Sequence, residues 1–417
     1  MRTIASFVMA VCCIAVGACG SPGAIPGAGT GGAGTGGAGG VDAGSDGFVP
    51  PPDAGDKDAL PPGAHTLTAN DVSVLFPRSG ASTASLLWPA TLEGKGGPLL
   101  PVATYARIVR SGLIEGSTAY EKLRVVAVRF DPCFGGSACQ AQVRLVLQPF
   151  EADGTVFDGA VHLLYNLTAE EFAALLGELR ALTALATENK AGLPLGPSPA
   201  LMAQGVNGAY GTALQALVTR YAGTDNLARM TFMFNELSAT SHWQFGGMNL
   251  KFYAPKGDLA ISGLPPGTLK QEVSRLLTTN EYFYRVHPEP VHLQALSAVL
   301  FSASAATVSA EARTAAYEVL VRVENPTLES PDTADCASCH LANFVRGYLD
   351  QKYPPAVPPA TVYSGVAEAS RFIGAAEKDA DNLRAFGHFD GFEFQSPVVS
   401  QRTANETHRV LQMLSMM

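Results

Sequence analysis

Two apolar runs that fit only a β-hairpin constrain this chain most. Lys122–Phe130 reads Leu123-Arg124-Val125-Val126-Ala127-Val128-Arg129-Phe130, and Gln140–Phe150 alternates Val143, Leu145 and Leu147 with Gln142, Arg144 and Gln148. Alternation at period two places one set of side chains on each face of a sheet. Between the runs lies Cys133-Phe134-Gly135-Gly136-Ser137-Ala138-Cys139, with glycines to supply a tight turn. Two strands leaving one hairpin bring these thiols together, so a Cys133–Cys139 disulfide is expected. No histidine or acidic side chain lies inside the loop to make it a metal site instead.

The elements around this hairpin predict an α+β body of antiparallel strands with packed helices over residues 66–308. Asn70–Phe76 reads as an edge strand or extended docking segment, with Trp88 as a core anchor. Ala160–Tyr165 is a third strand. Thr168-Ala169-Glu170-Glu171 is a capping box opening a helix with Phe172, Leu175, Leu176, Leu179, Leu182 and Leu185 in one stripe. A second helix is expected from Ser198-Pro199 to Tyr221. Strands follow at Leu227–Asn235, Trp243–Tyr253 and Asp258–Gly263, then helices at 289–308 and 309–323.

The N-terminus bears on compartment. Arg2 precedes an apolar run, Ile4 to Val16, too short to span a bilayer. It ends in Val16-Gly17-Ala18-Cys19, which resembles a bacterial lipobox. That resemblance implies a signal peptide over 1–18, lipid on Cys19 and a membrane partner reached through that lipid. Gly20 follows Cys19, and without an aspartate there the outer membrane is favoured over the inner. Residues 19–65 are rich in Gly, Ala and Pro and read as a disordered tether. Gly27-Ala28-Gly29-Thr30-Gly31-Gly32 formally matches a dinucleotide fingerprint, but no strand precedes it and no helix follows.

About 350 of the 417 residues remain for folded structure, more than one core ordinarily serves, so two subdomains are expected. A net charge of -9 argues against a nucleic-acid partner. Of seven cysteines, Cys12 and Cys13 go with the signal and Cys19 with the lipid. The other four form two close pairs, as an oxidising compartment favours.

The second pair lies in Cys336-Ala337-Ser338-Cys339-His340. Thiols three residues apart lie on one face of a helical turn, and a histidine follows the second. This resembles the haem-attachment motif of c-type cytochromes, over about a dozen residues. The resemblance implies one covalent haem c, thioethers at Cys336 and Cys339, and His340 as proximal iron ligand. It also implies a mainly helical module over 309–417, closed by a helix at Arg402–Leu414, and an unidentified redox partner. No methionine lies between Met248 and Met413 to act as distal ligand. His388, in the segment Ala385-Phe386-Gly387-His388-Phe389 read as a loop, and His408 are the candidates beside an open site.

Other readings of Cys336 and Cys339 are a disulfide, a redox pair or half of a zinc site. A haem-free structural or partner-binding lipoprotein with a Cys336–Cys339 disulfide is the alternative function. A peroxidase-like haem enzyme ordinarily needs a second haem motif, so an electron carrier or binding protein is expected rather than a catalyst. No His-Glu-x-x-His, Gly-x-Ser-x-Gly or Walker loop occurs. His65, His162, His287 and His292 are scattered along the chain, and Ser241-His242-Trp243 reads as turn plus core.

Overall fold

An eight-stranded antiparallel sheet, covered on both faces, organises the computed structural model. The structure describes residues 66–78, 86–110, 118–134, 140–186, 188, 193–236, 242–250, 270–277, 282–289, 308–330, 333–355, 357, 359–364, 383–390 and 395–417. The lipobox and tether, Cys139, the strand expected at 258–263 and nearly all of the helix expected at 289–308 lie outside these residues.

In chain order the elements begin with α1 (Ala69–Val72), β1 (Ser73–Leu75), the small hairpin β2 (Glu93–Gly94) and β3 (Gly97–Pro98), α2 (Val102–Arg110) and α3 (Thr118–Lys122). Next come β4 (Leu123–Phe134), β5 (Gln140–Pro149), β6 (Gly159–Leu167), α4 (Ala169–Thr183), α5 (Pro199–Gln204) and α6 (Ala209–Tyr221). Then follow β7 (Leu227–Glu236), β8 (His242–Asn249), β9 (Gln271–Leu277) and β10 (Tyr282–His287). The last are α7 (Ala310–Glu324), α8 (Cys336–Lys352), β11 (Phe386–Asp390), β12 (Gln395–Val399) and α9 (Gln401–Leu414). The sheet runs β1-β4-β5-β6-β7-β8-β9-β10, every pair antiparallel, and β11-β12 is a separate hairpin.

The α+β architecture follows the hydrophobic pattern. Val143, Leu145 and Leu147 of β5 join Val161, Leu163 and Tyr165 of β6 in one core, sealed by Phe172, Leu175, Leu176 and Leu179 of α4 and by Tyr210, Leu214 and Val218 of α6. The capping box opening α4 forms in both directions. Glu171 N–H donates to Thr168 Oγ1 at 3.1 Å and Thr168 N–H to Glu171 Oε2 at 3.1 Å. Leu185 leaves the predicted stripe, because α4 ends at Thr183 and this side chain is 43% exposed.

Two local expectations need correction. Residues 69–72 form a helical turn, and only Ser73–Leu75 are extended, pairing with β4 at the sheet edge. The helix expected from 198 to 221 is two helices. Gly205 ends α5 with φ of 77°, a left-handed conformation that glycine adopts without strain. At Gly211 the chain returns so closely that a Cβ would lie 1.9 Å from the Val206 carbonyl oxygen.

The second face of the sheet carries α8, α9 and the β11-β12 hairpin. Ala337, Leu341, Ala342, Val345 and Leu349 of α8 pack with Leu320 and Val323 of α7 against Trp243, Phe245, Val273, Tyr284 and Val286 of the sheet. The helices after residue 309 therefore share their core with the strands, and the boundary expected near 308 does not divide two cores. The reason is geometric: the sheet has a second apolar face at β8, β9 and β10, and α7 and α8 are what cover it.

Candidate functional site

Between that second face and α8 lies a cavity of about 190 Å³. Cys336, Cys339 and His340 all line it. Asp335 explains why α8 begins where it does. Its side chain accepts from the Ser338 N–H at 3.0 Å, an N-cap that places both thiols in the first turn. Gln271 of β9 fixes this turn to the sheet, donating from Nε2 to Asp335 Oδ2 at 2.7 Å and accepting from Ala337 N–H at 3.0 Å.

The thiols of Cys336 and Cys339 are free. Burial pushes both up to about 12. A redox-active or nucleophilic Cys-x-x-Cys needs the opposite shift, since the thiolate is the reactive form. Their surroundings suit thiols that are alkylated or capped rather than ones that turn over.

His340 is oriented by the backbone. Its Nδ1 lies 2.5 Å from the Leu383 carbonyl oxygen, which assigns the proton to Nδ1 and leaves Nε2 with a free lone pair. Metal-ligating histidines are held in the same way by a hydrogen bond on the nitrogen that does not bind the metal. Burial also lowers the basicity of the ring, keeping it neutral. Phe245 packs on it with ring centres 5.1 Å apart, and His162 lies beyond with ring centres 6.1 Å apart and planes 14° apart.

The rest of the lining is mainly apolar apart from a largely cationic set of charged side chains. Arg129, Arg144, Arg229 and Arg402 line the cavity against one acid, Glu406. Three of these arginines share a cross-strand row, since Arg129 of β4 pairs with Arg144 of β5, Arg144 with Leu164 of β6, and Leu164 with Arg229 of β7. Like charges in adjacent positions destabilise a sheet unless something offsets them. Asp131 takes Arg144 at 2.6 Å, and Glu406 takes Arg129 and, at 2.7 Å, Arg402.

These residues fit a covalent haem. Two thiols and one imidazole with a free nitrogen project from the start of α8, aliphatic strand residues and Phe386 wall the cavity, and the arginines would supply cations for the two propionates that a haem carries.

His388 is placed elsewhere. It lies on β11 rather than in a loop, bonded through its backbone to the Gln148 side chain at 2.7 and 3.0 Å, and it does not line the cavity. Its ring is fully buried beside the backbone of Phe76 and the guanidinium groups of Arg78 and Arg384, and burial drops its pKa to about 3. His408, on α9, is paired with Tyr363, whose hydroxyl lies 3.1 Å from its Nδ1. Trp243 is wholly buried in strand β8, not in a turn. Cys133 is on β4, but Cys139 is outside the described residues, so the expected disulfide loop is not described.

Sequence reasoning passed over His162, the four arginines and Leu383. The available signal was the polar set of the β5 alternation. Gln142 and Gln148 of that set are buried, and Arg144 faces the cavity. Among the described residues no three His, Cys, Asp or Glu side chains gather as a metal site, and no helix is long and apolar enough to cross a membrane. In comparisons with family models, curated proteins and solved structures, nothing matches this chain.

Proposed function

We propose that this protein carries one covalent haem c and passes single electrons, as a lipoprotein of the bacterial envelope. One observation carries the reading: Cys336, Cys339 and His340 open onto a single cavity, with His340 Nδ1 engaged by Leu383 so that Nε2 is left for iron. A haem bound there would supply a one-electron iron couple. The chain's own residues do the rest. Cys336 and Cys339 would anchor the porphyrin, Leu383 holds the His340 tautomer, and Phe245 packs on the His340 ring. Arg129, Arg144, Arg229 and Arg402 neutralise carboxylates that would otherwise be costly to bury.

Expression with a c-type maturation system tests this. The expected product has the mass of one added haem surviving denaturation, and a reduced spectrum with a sharp α band. Both are lost in Cys336→Ala/Cys339→Ala. A colourless protein whose 336 and 339 thiols become alkylatable on reduction would leave the haem-free binding lipoprotein instead. The anchor is tested separately: Cys19→Ser should release the protein from membranes.

A further inference from the structure

A haem held by His340 has a second axial position, and the cavity contains one side chain placed to fill it. His162 sits on β6, in the middle of the sheet, where its pairing with Val146 of β5 and Thr231 of β7 fixes the backbone. Val161 and Leu163 on either side point into the core under α4 and α6, so strand alternation turns His162 to the opposite face and into the cavity.

Three properties single it out. The ring is half-buried and lines the same cavity as His340. Its ring centre is 6.1 Å from that of His340, with planes only 14° apart. Two imidazoles binding one metal ion from opposite sides, each with a metal–nitrogen distance of about 2 Å, place their ring centres roughly 6 Å apart. Finally, the two rings come from rigid elements, a central strand and a capped helix, so the separation is built in rather than dependent on a loop.

We infer that His162 is the second axial ligand of the haem iron, which makes the site a bis-histidine centre closed to small exogenous ligands. This rests on the haem reading of the Cys336–His340 site. A closed centre suits a carrier of electrons rather than a catalyst that must open iron to oxygen or peroxide. It also gives the sheet a part in the redox site, since the second ligand comes from the α+β body.

The experiment uses full-length protein matured with haem. The parent should be low-spin in both oxidation states, with the electron paramagnetic resonance of two nitrogen axial ligands, and should not bind added cyanide readily. His162→Ala should retain the covalent haem mass but turn high-spin and take up cyanide. His162→Met, which keeps the volume, should stay low-spin, gain a sulfur-to-iron charge-transfer band and shift to a higher midpoint potential. His388→Ala and His408→Ala should keep the parent spectrum. A haem-bearing His162→Ala or His162→Met protein with the parent's two-nitrogen low-spin signature overturns the assignment and leaves the haem in place. A parent that never acquires haem overturns the proposed function itself, and this inference with it.

Discussion

Gln271 and Asp335 are locked to each other at 2.7 Å, the one on strand β9 and the other capping the helix that bears both thiols. Both side chains are fully buried, and Gln271 returns a second bond to the backbone of Ala337. The start of α8 is thereby set by the sheet as well as by its own cap.

Removing the cap should loosen that turn. Asp335→Ala loses the Ser338 bond and strands the Gln271 amide, and is expected to destabilise the fold by about 1–3 kcal/mol. Asp335→Asn keeps an acceptor at the cap and should lose less. Urea unfolding of the two variants against the parent reads the difference; equal midpoints for all three would contradict the role given to this pair.

The thiols should be unreactive in folded protein made without haem. A pKa near 12 in place of 9 leaves roughly a thousandth of the thiolate that an ordinary thiol has near neutral pH. Alkylation of Cys336 and Cys339 at pH 8 is therefore expected to be slow in buffer and fast in denaturant, followed by mass spectrometry. Rapid labelling of the folded chain would show that the burial is not present in solution.

Glu406 should govern the acid limb of stability. Burial works to raise its carboxyl, but Arg402, Arg129 and Arg144 outweigh that and hold it down at about 2, against 4.5 unperturbed. Its contribution is complete above pH 4.5 and is lost as pH falls towards 2. Glu406→Gln should flatten stability over that window and destabilise at neutral pH by roughly 3–5 kcal/mol, because guanidinium groups are left buried without their anion. The check is a series of urea titrations across pH; an unchanged acid limb would remove Glu406 from the account.

His388 should matter for acid stability and not for colour. Its ring is held neutral with a pKa of about 3, whereas in the unfolded chain it protonates near 6.5. The unfolded state therefore binds more protons below pH 6.5, and stability falls as pH drops from there towards 3. His388→Leu should reduce that slope by one proton while the spectrum stays that of the parent. A changed haem spectrum in this variant would return His388 to the candidates for the iron.

The sequence by itself determined what depends on neighbours along the chain. The hairpin of β4 and β5 follows from period-two alternation, α4 from a capping box and an apolar stripe, and the shared face of Cys336, Cys339 and His340 from helical spacing. Tertiary structure decided what those faces meet. Alternation in β5 separates Val143, Leu145 and Leu147 from Arg144, but it is silent on whether the polar side meets water or a covered cavity. Here α8 and α9 cover it. The same limit explains His388 and His162. Both are single histidines in apolar strands, and nothing local distinguishes them. One is enclosed by the β11-β12 hairpin, while the other is brought opposite His340 only because β6 lies at the centre of the sheet beneath α8. Pairing side chains so distant in sequence depends on the order of strands and the docking of a helix, which long-range packing sets and local pattern does not.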